Sequence, residues 1–167
     1  MEGHGRTMTR WTPDNLKGKT VTVVGLGQSG LASARFCRAA GAIVTVSEAG
    51  DANGFENEVR QLEPAGVALE FGPHRPETLE TADLVVLSPG VPHTLVPLEA
   101  ARRRGIPVVG EMELASRFIA ERIVAVTGTN GKTTTTELIG AMLEASGMAV
   151  FVGGNIGNPL IEYVESG

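Results

Sequence analysis

Features of secreted and membrane-spanning proteins are scarce in this sequence. A single cysteine among 167 residues excludes an intramolecular disulfide and suits a reducing compartment. No apolar run approaches the roughly 20 residues that cross a bilayer, and the polar segment 1–9 lacks the apolar core of a secretion signal. We therefore expect a soluble, cytoplasmic protein without a membrane partner, in which Cys37 is a core helix residue and not a nucleophile.

The sequence also has fewer basic than acidic residues. The net charge is −5, with 14 Lys and Arg against 19 Asp and Glu. The arginine triplet Arg102–Arg104 closes a predicted helix, where cations complement the helix dipole. We therefore expect no nucleic-acid partner. The oligomeric state is not predictable from these residues.

The sequence is rich in glycine and in short apolar segments. Its 22 glycines and 42% hydrophobic residues supply many tight turns and a core. The apolar segments alternate with helical patterns, which indicates an α/β fold with a parallel sheet covered by helices on both faces. We predict a Rossmann-like domain over residues 1–109. Its predicted strands are 20–24, 43–47, 67–71, 82–87 and 106–109.

Residues 110–167 are predicted to begin a second, phosphate-loop α/β domain. A helix is expected from 110 to about 121, followed by a strand at 123–126. The next helix is predicted where apolar residues recur at helical spacing, at Leu138, Ala141, Met142 and Ala145. A strand at 149–152 and a helix from Pro159 to Gly167 follow. Because such a domain needs more strands, we expect a fragment of a longer protein.

A glycine-rich turn follows the first predicted strand directly. Its sequence is Gly25-Leu26-Gly27-Gln28-Ser29-Gly30, and Glu48 ends the second strand about 20 positions on, as in the dinucleotide-binding fingerprint. The pattern predicts an anionic phosphate over the residues from Gly27 to Gly30, and a sugar or base donating to Glu48. NAD and a uridine diphosphate sugar fit equally well, and glycines that serve only strand-to-helix packing are the alternative.

Two further loops end predicted strands. Gly90, in Ser88–Pro92, can expose its backbone to a ligand, although a rigid turn explains the segment equally well. Asn155, in the glycine-rich stretch Gly153–Pro159, carries an amide suited to a ligand carbonyl or carboxylate. The alternative is an asparagine that bonds within its own turn.

Residues Thr127–Thr134 lie between a predicted strand and a predicted helix, which is the layout of a phosphate cradle. Lys132 supplies a point charge for β- and γ-phosphates, and the Thr133 hydroxyl is a hard oxygen ligand for Mg²⁺. The loop is shorter than the general phosphate-loop motif, which has a glycine where this chain has Val126. A glycine turn with a surface lysine is the alternative.

The short form Gly-Thr-Asn-Gly-Lys-Thr-Thr resembles the loop of the Mur ligases and folylpolyglutamate synthetases, ATP-dependent enzymes that form amide bonds. Four other stretches resemble the D-glutamate-adding branch of the Mur ligases in order and spacing. These are Val-Val-Gly-Leu-Gly-Gln-Ser-Gly, Ser-Pro-Gly-Val-Pro, Gly-Glu-Met-Glu-Leu and Gly-Gly-Asn-Ile-Gly-Asn-Pro. The resemblance runs from about Leu16 to the end of the chain.

This resemblance implies the substrates and the residues that hold them. The first domain is expected to bind UDP-N-acetylmuramoyl-L-alanine, and the second ATP with Mg²⁺; D-glutamate is the third substrate. The implied substrate-binding residues are Gln28, Ser29, Gly30, Glu48, Gly90 and Asn155. The implied ATP-binding residues are Gly128, Thr129, Asn130, Gly131, Lys132, Thr133 and Thr134. Lys132 is the implied catalytic residue, and Thr133 the implied metal ligand.

The resemblance also implies what this chain does not carry. The family's Mg²⁺-binding glutamate, its carbamylated lysine, a substrate-binding histidine and its glutamate-binding C-terminal domain would lie beyond Gly167. We therefore expect the chain alone not to catalyse ligation. Family members often place a hydroxyl and a basic residue after the acid that ends the second strand, whereas Ala49 and Gly50 follow Glu48 here.

Three other functions stay open at this point. The turn Gly25–Gly30 by itself also fits an NAD-dependent oxidoreductase. A nucleotide-binding or regulatory module without catalysis is the second possibility. A sister amino-acid ligase is the third, and it differs only in its substrate.

Overall fold

Five strands form one parallel sheet in the part of the chain that the computed structural model describes, residues 13–154 and 157–166. The strands are β1 Thr20–Val24, β2 Ile43–Glu48, β3 Ala68–Phe71, β4 Leu84–Leu87 and β5 Val108–Gly110. Their order across the sheet is β3-β2-β1-β4-β5. The five strands predicted for the first domain are thereby confirmed, with small differences at their ends.

The order of the strands reverses at β1, where the ligand crevice of an open α/β sheet is expected. β1 pairs with β2 on one side, Val21 opposite Val44, and with β4 on the other, Val21 opposite Leu84. Strands in the middle of such a sheet are buried on both faces, which explains why residues 21–24 of β1 and all four residues of β4 are buried.

Helices connect the strands and cover both faces of the sheet. The α-helices are α1 Pro13–Leu16, α2 Gln28–Ala39, α3 Glu56–Leu62, α4 Pro76–Glu80, α5 Val96–Arg103, α6 Glu111–Ser116, α7 Lys132–Ala145 and α8 Leu160–Ser166. A short 3₁₀ helix, Ala52–Gly54, follows β2. The helix predicted to reach about residue 121 ends five residues earlier, at Ser116.

Two apolar clusters make up the core, one on each face of the sheet. Successive β4 residues alternate between them, since Leu84 and Val86 pack with α2 residues while Val85 and Leu87 pack with residues of α4 and α5. Cys37 of α2 is fully buried in the first cluster, and its burial raises the pKa of the thiol to about 12. The prediction that Cys37 is a core residue is confirmed.

The strands predicted at 123–126 and 149–152 are wrong, because the structure assigns no strand to either segment. A strand is stabilised by the ladder to a neighbour, and neither segment pairs with another strand in the described ranges. Ile123 and Val124 are largely exposed, as are Met148 and Val152. An apolar β-type sequence without a pairing partner therefore does not become a strand.

The last helix packs against two helices that cover the parallel sheet. α8 contacts α2 and α6, and Ile161 of α8 is fully buried in the cluster around α2. By contrast, Gly140 is the buried residue of α7. Among the described residues, no helix is long and apolar enough to cross a membrane.

Candidate functional site

A cavity of about 550 Å³ opens at the carboxyl ends of β1, β2 and β4, on the side where the strand order reverses. Loops from both predicted domains form its wall. The lining residues are Gly25, Leu26, Gly27, Gln28, Ser29, Glu48, Ala49, His74, Ser88, Pro89, Gly90, Val91, Pro92, Leu95, Gly154 and Gly157. Four of the six predicted substrate-binding residues therefore meet at one cavity, namely Gln28, Ser29, Glu48 and Gly90.

The glycine turn between β1 and α2 is shaped by close backbone packing. Gly25 has a φ of +91°, which side-chain-bearing residues rarely adopt. A β-carbon on Gly30 would lie 2.0 Å from the Gly25 carbonyl oxygen, so Gly30 is buried beneath the turn and is not part of the cavity wall. A β-carbon on Gly27 would meet nothing within 4 Å, so the wall there is bare backbone.

The first turn of α2 faces the cavity with free donors. Gly27 is its N-cap and supplies no side-chain hydrogen bond, and the first N–H groups of a helix have no partner within the helix. These groups and the positive end of the helix dipole favour an anion. Gln28 and Ser29 lie on this turn and line the cavity; their role in substrate binding stays a prediction.

Glu48, the last residue of β2, binds the backbone of the glycine turn. Its Oε2 accepts the Leu26 N–H at 2.7 Å, and its Oε1 accepts the Gly50 N–H at 2.8 Å. The carboxylate thus holds the glycine turn against the end of β2. Each oxygen keeps a second lone pair, so Glu48 can also accept from a ligand.

The loop after β4 forms the third side of the cavity. The buried Ser88 hydroxyl donates to the Gly25 carbonyl at 2.9 Å, which ties this loop to the glycine turn. A β-carbon on Gly90 would meet nothing within 4 Å, so the backbone of Gly90 faces open space. This geometry suits the predicted role of Gly90, which stays a prediction.

The second glycine-rich stretch reaches the same cavity. Gly154 and Gly157 line it, and the Gly154 N–H donates to the Asn158 carbonyl at 2.9 Å. Asn155, predicted to contact the substrate, lies outside the described residues. What the structure shows of this stretch is that Gly154 and Gly157 line the cavity; the role of Asn155 stays a prediction.

His74 is a cavity residue that sequence reasoning missed. It follows β3 by a few residues, its ring Nδ1 lies 2.8 Å from the Ser47 hydroxyl, and it lines the cavity beside Glu48 and Ala49. The signal was present in the sequence, because residues just after a parallel strand belong to the ligand edge of the sheet.

Glu111 is a second residue that sequence reasoning missed. It is 1% exposed, and its Oε1 accepts the Ile161 N–H of α8 at 2.7 Å. Desolvation by burial raises the pKa of this carboxyl above its usual range. An acid at a helix start normally only complements the dipole, so nothing in the sequence distinguishes this buried link between α6 and α8.

The predicted ATP loop is a separate, exposed turn at the start of α7. Gly131 is the N-cap of this 14-residue helix, with a φ of 75° and no side-chain cap. The Lys132 ammonium donates to the carbonyls of Gly128 and Thr129 within its own loop. The loop therefore offers a cation and free helix N–H groups to an anion, and no loop residue lines the cavity of the first unit.

A metal site of protein ligands alone is not found in the described ranges. There, no three His, Cys, Asp or Glu residues cluster in a way that would hold an ion. Thr133 is exposed in the first turn of α7, where its hydroxyl is one available oxygen ligand. A single protein oxygen suits Mg²⁺ that is held mainly by phosphate oxygens and water. The role of Thr133 as a metal ligand stays a prediction.

The fold and the two glycine loops define an α/β protein with two glycine-rich turns, each leading into a helix. The family model described as Mur ligase MurD-like, N-terminal domain, matches residues 19–110, and that of the Mur ligase middle domain matches residues 126–165. The chain therefore belongs to the Mur ligase family, in agreement with the resemblance seen in its motifs.

Individual relatives agree with this assignment. A UDP-N-acetylmuramoylalanine–D-glutamate ligase of Desulfatibacillum aliphaticivorans is 56% identical over 151 residues, which cover 90% of this chain and 34% of the relative. The enzyme of that name from Desulfosudis oleivorans is 52% identical over 155 residues, 93% of this chain and 34% of the relative. This chain thus spans about a third of the length of these relatives.

A solved structure shares the fold. A murein peptide ligase from Psychrobacter arcticus superposes with a TM-score of 0.55 at 28% identity, over 78% of this chain and 27% of that one. The α/β fold predicted from the sequence is confirmed by the parallel sheet and by this likeness.

Proposed function

We propose that this chain is the nucleotide-binding part of an ATP-dependent ligase that joins D-glutamate to UDP-N-acetylmuramoyl-L-alanine. The observation that carries the proposal is the presence of two different glycine-rich turns at helix starts in one chain, one at the switch-point cavity and one at the start of α7. An oxidoreductase built on the first turn would leave the second unexplained. The names of the relatives support the D-glutamate branch.

The diphosphate of the muramoyl nucleotide is assigned to the first turn of α2. Gln28 and Ser29 lie there beside uncapped helix N–H groups, which favour an anion. The uridine extends toward Glu48 and the end of β2, as nucleosides do in this type of fold. The muramoyl part extends along Gly90 toward Asn155, whose neighbours Gly154 and Gly157 line the cavity.

The phosphates of ATP are assigned to residues 128–134. The exposed loop, its glycine in the left-handed region and the uncapped 14-residue helix fit a polyphosphate. Lys132 would exchange its bonds to the loop carbonyls for phosphate oxygens and stabilise the phosphoryl group during its transfer. Thr133 would supply one oxygen to Mg²⁺, which neutralises phosphate charge when bound.

The proposed reaction has two steps. A substrate carboxylate oxygen attacks the γ-phosphorus, the bond to ADP breaks, and an acyl phosphate forms. The D-glutamate amine then attacks the acyl carbon, loses a proton, and expels phosphate as the amide forms. We propose that the cavity residues hold the first substrate and that Lys132 acts on the transferring group. The full ligase would work in cytoplasmic peptidoglycan precursor synthesis, which underlies cell shape and division.

Calorimetric titration of the chain tests the substrate site. We expect UDP-N-acetylmuramoyl-L-alanine to bind, and NAD not to bind under the same conditions. Binding of NAD alone would overturn the ligase proposal in favour of an oxidoreductase. We also expect no ADP release that depends on D-glutamate, because the chain spans a third of its relatives; such release would contradict the proposal that this chain alone is inactive.

A lysine variant tests the ATP site. Lys132→Ala is expected to weaken the binding of a non-hydrolysable ATP analogue at least about tenfold, since it removes a charge-assisted contact. Arg103→Ala is the matched control, because it also removes one exposed cation, from the end of α5. Equal affinity of the two variants would contradict the assignment of ATP to this loop.

A further inference from the structure

Side chains that can donate a hydrogen bond are few on the side of the cavity nearest β2 and β3. Both Glu48 oxygens already accept backbone N–H groups, from Leu26 and Gly50. Ala49 beside it carries no polar side-chain atom. An ionised carboxylate only accepts hydrogen bonds, so Glu48 cannot bind a carbonyl oxygen of a ligand.

His74 is the residue on this side that can supply the missing donor. Its Nδ1 lies 2.8 Å from the hydroxyl of Ser47, which is 1% exposed. A buried hydroxyl donates where an acceptor is available, and this hydroxyl has no other acceptor among the described residues. Ser47 therefore donates to Nδ1, and Nε2 is the ring nitrogen that carries a hydrogen.

The second ring nitrogen of His74 stays available to a ligand. Nε2 of His74 has no hydrogen-bond partner in the described part of the chain, and the half-buried residue lines the cavity with Glu48. An acceptor from Glu48 and a donor from His74 thus lie on neighbouring strand ends, β2 and β3, which pair with Glu48 opposite Phe71.

We propose that His74 is a specificity-determining residue that reads the base of the nucleotide substrate. Glu48 accepts the ring N–H of a uracil-type base, and His74 Nε2–H donates to the adjacent 4-carbonyl oxygen. A base with an amino group at that position has no acceptor for His74. This inference rests on the proposed function, because it assumes that the nucleoside lies at the ends of β2 and β3.

Displacement titrations test the inference on the 167-residue chain. UDP-N-acetylmuramoyl-L-alanine is bound first, and UDP or CDP is used to displace it. The native chain is expected to prefer UDP. His74→Ala is expected to weaken UDP about tenfold, as expected for one hydrogen bond to a carbonyl, and to leave CDP unchanged. His74→Gln keeps a donor and is expected to restore most of the preference.

Ser47→Ala provides the matched control for orientation. It removes the bond to Nδ1 but keeps the imidazole, and we expect it to reduce the preference for UDP less than His74→Ala does. Thermal unfolding of each variant shows whether it is folded. If His74→Ala is not folded, the comparison is made between His74→Gln and His74→Phe, which keeps a ring without nitrogen.

Each outcome has one meaning. Loss of preference for UDP in the variants without a donor, at unchanged CDP affinity, supports the inference. Equal weakening of both nucleotides, unchanged affinity for UDP, or a native chain without preference overturns it while the muramoyl-nucleotide site stands. If the native chain does not bind UDP-N-acetylmuramoyl-L-alanine at all, the proposed function and this inference both fall.

Discussion

Gly27 and Gly30 lie in one turn but differ in the space around them. A β-carbon at Gly30 would meet the Gly25 carbonyl oxygen at 2.0 Å, whereas one at Gly27 has open space around it. Backbone atoms cannot move aside as the end of a flexible side chain does. Gly30 therefore serves the fold, while Gly27 borders the cavity.

Alanine variants of these two glycines separate the roles. Gly30→Ala is expected to lower the free energy of unfolding by about 1–3 kcal/mol, because the methyl group overpacks a buried site. Gly27→Ala is expected to cost less than about 1 kcal/mol, as an N-cap change, yet to weaken UDP-N-acetylmuramoyl-L-alanine. Urea denaturation and calorimetry measure both quantities. Similar stability losses would contradict this division.

Glu111 is a buried acid whose ionisation is unfavourable in the folded chain. Its Oε2 has no partner among the described residues. Desolvation is the main cause that raises its pKa, and Glu162 adds to it, against hydrogen bonds from Ile161 and Leu160. The folded chain thus binds this proton more tightly than the unfolded chain. The contribution to stability is full below the unfolded pKa of about 4.3 and is lost as pH rises through the folded pKa.

Glu111→Gln removes this titration and keeps an oxygen for the Ile161 N–H. Relative to the native chain, we expect the variant to gain stability as the pH is raised from about 4 to about 8, because only the native chain must bury a charge. Urea denaturation over a pH series measures the difference. Glu137→Gln on exposed α7 is the control. A difference that does not vary with pH would refute this account.

At the scale of elements, Asp83 joins the starts of β1 and β4. Its Oδ2 accepts the N–H and the hydroxyl of Thr20, each at 2.9 Å, and its Oδ1 accepts from Lys19 at 3.1 Å. The Thr20 N–H first, and then Lys19, lower the pKa of this carboxyl. Its contribution to stability is present above the unfolded pKa of about 3.9 and is lost as pH falls through the folded pKa.

Asp83→Asn is therefore expected to destabilise the chain at neutral pH and to matter less in acid. The loss should be about 1 kcal/mol or less, since the side chain is 41% exposed and solvent weakens the ion pair. Urea denaturation at neutral and acidic pH measures it, with Glu99→Gln on α5 as a control. A loss that grows as the pH falls would have the wrong sign for this mechanism.

At the scale of the whole molecule, burial is unevenly distributed. The 12 residues of α2 include six buried ones, whereas the 14 residues of α7 include only Gly140. Leu138 and Met142, one turn apart on α7, are 59% and 64% exposed. Most helical stability comes from packing of an apolar face, so the sheet and α2 form the stable unit.

Hydrogen exchange should reveal this difference directly. We expect the amides of α7 to exchange much faster than those of α2, because local opening of α7 breaks few buried contacts. The two helices are internal controls for each other, since they are similar in length. A bound ATP analogue should slow exchange in the first turn of α7. Equal protection in the free chain would contradict the uneven distribution of stability.

Much of the first unit was predictable because its signals are local. The segment 20–24 is rich in valine and ends in a glycine turn, which predicted a strand followed by a helix. The family resemblance assigned Gln28, Glu48 and Gly90 to one substrate, and the cavity brings them together. His74 was within reach of the rule that residues just after a parallel strand belong to the ligand edge of the sheet.

Other features depended on partners distant in the sequence. The apolar segments 123–126 and 149–152 resemble strands, but they lack a neighbouring strand in the described ranges and are not strands. In the sequence, Glu111 is an ordinary acidic residue at the start of a helix. The packing of α8 against α6 buries it and supplies the Ile161 N–H.

The sequence by itself determined the α/β class, the two glycine-rich turns at helix starts and the family, because periodicity, glycine spacing and motif order are properties of the chain. Tertiary structure alone decided that Glu48 accepts the backbone N–H of the glycine turn and that Gly154 and Gly157 line the cavity at the ends of β1, β2 and β4. These depend on which strand ends become neighbours and which groups lose water, and no local pattern encodes either.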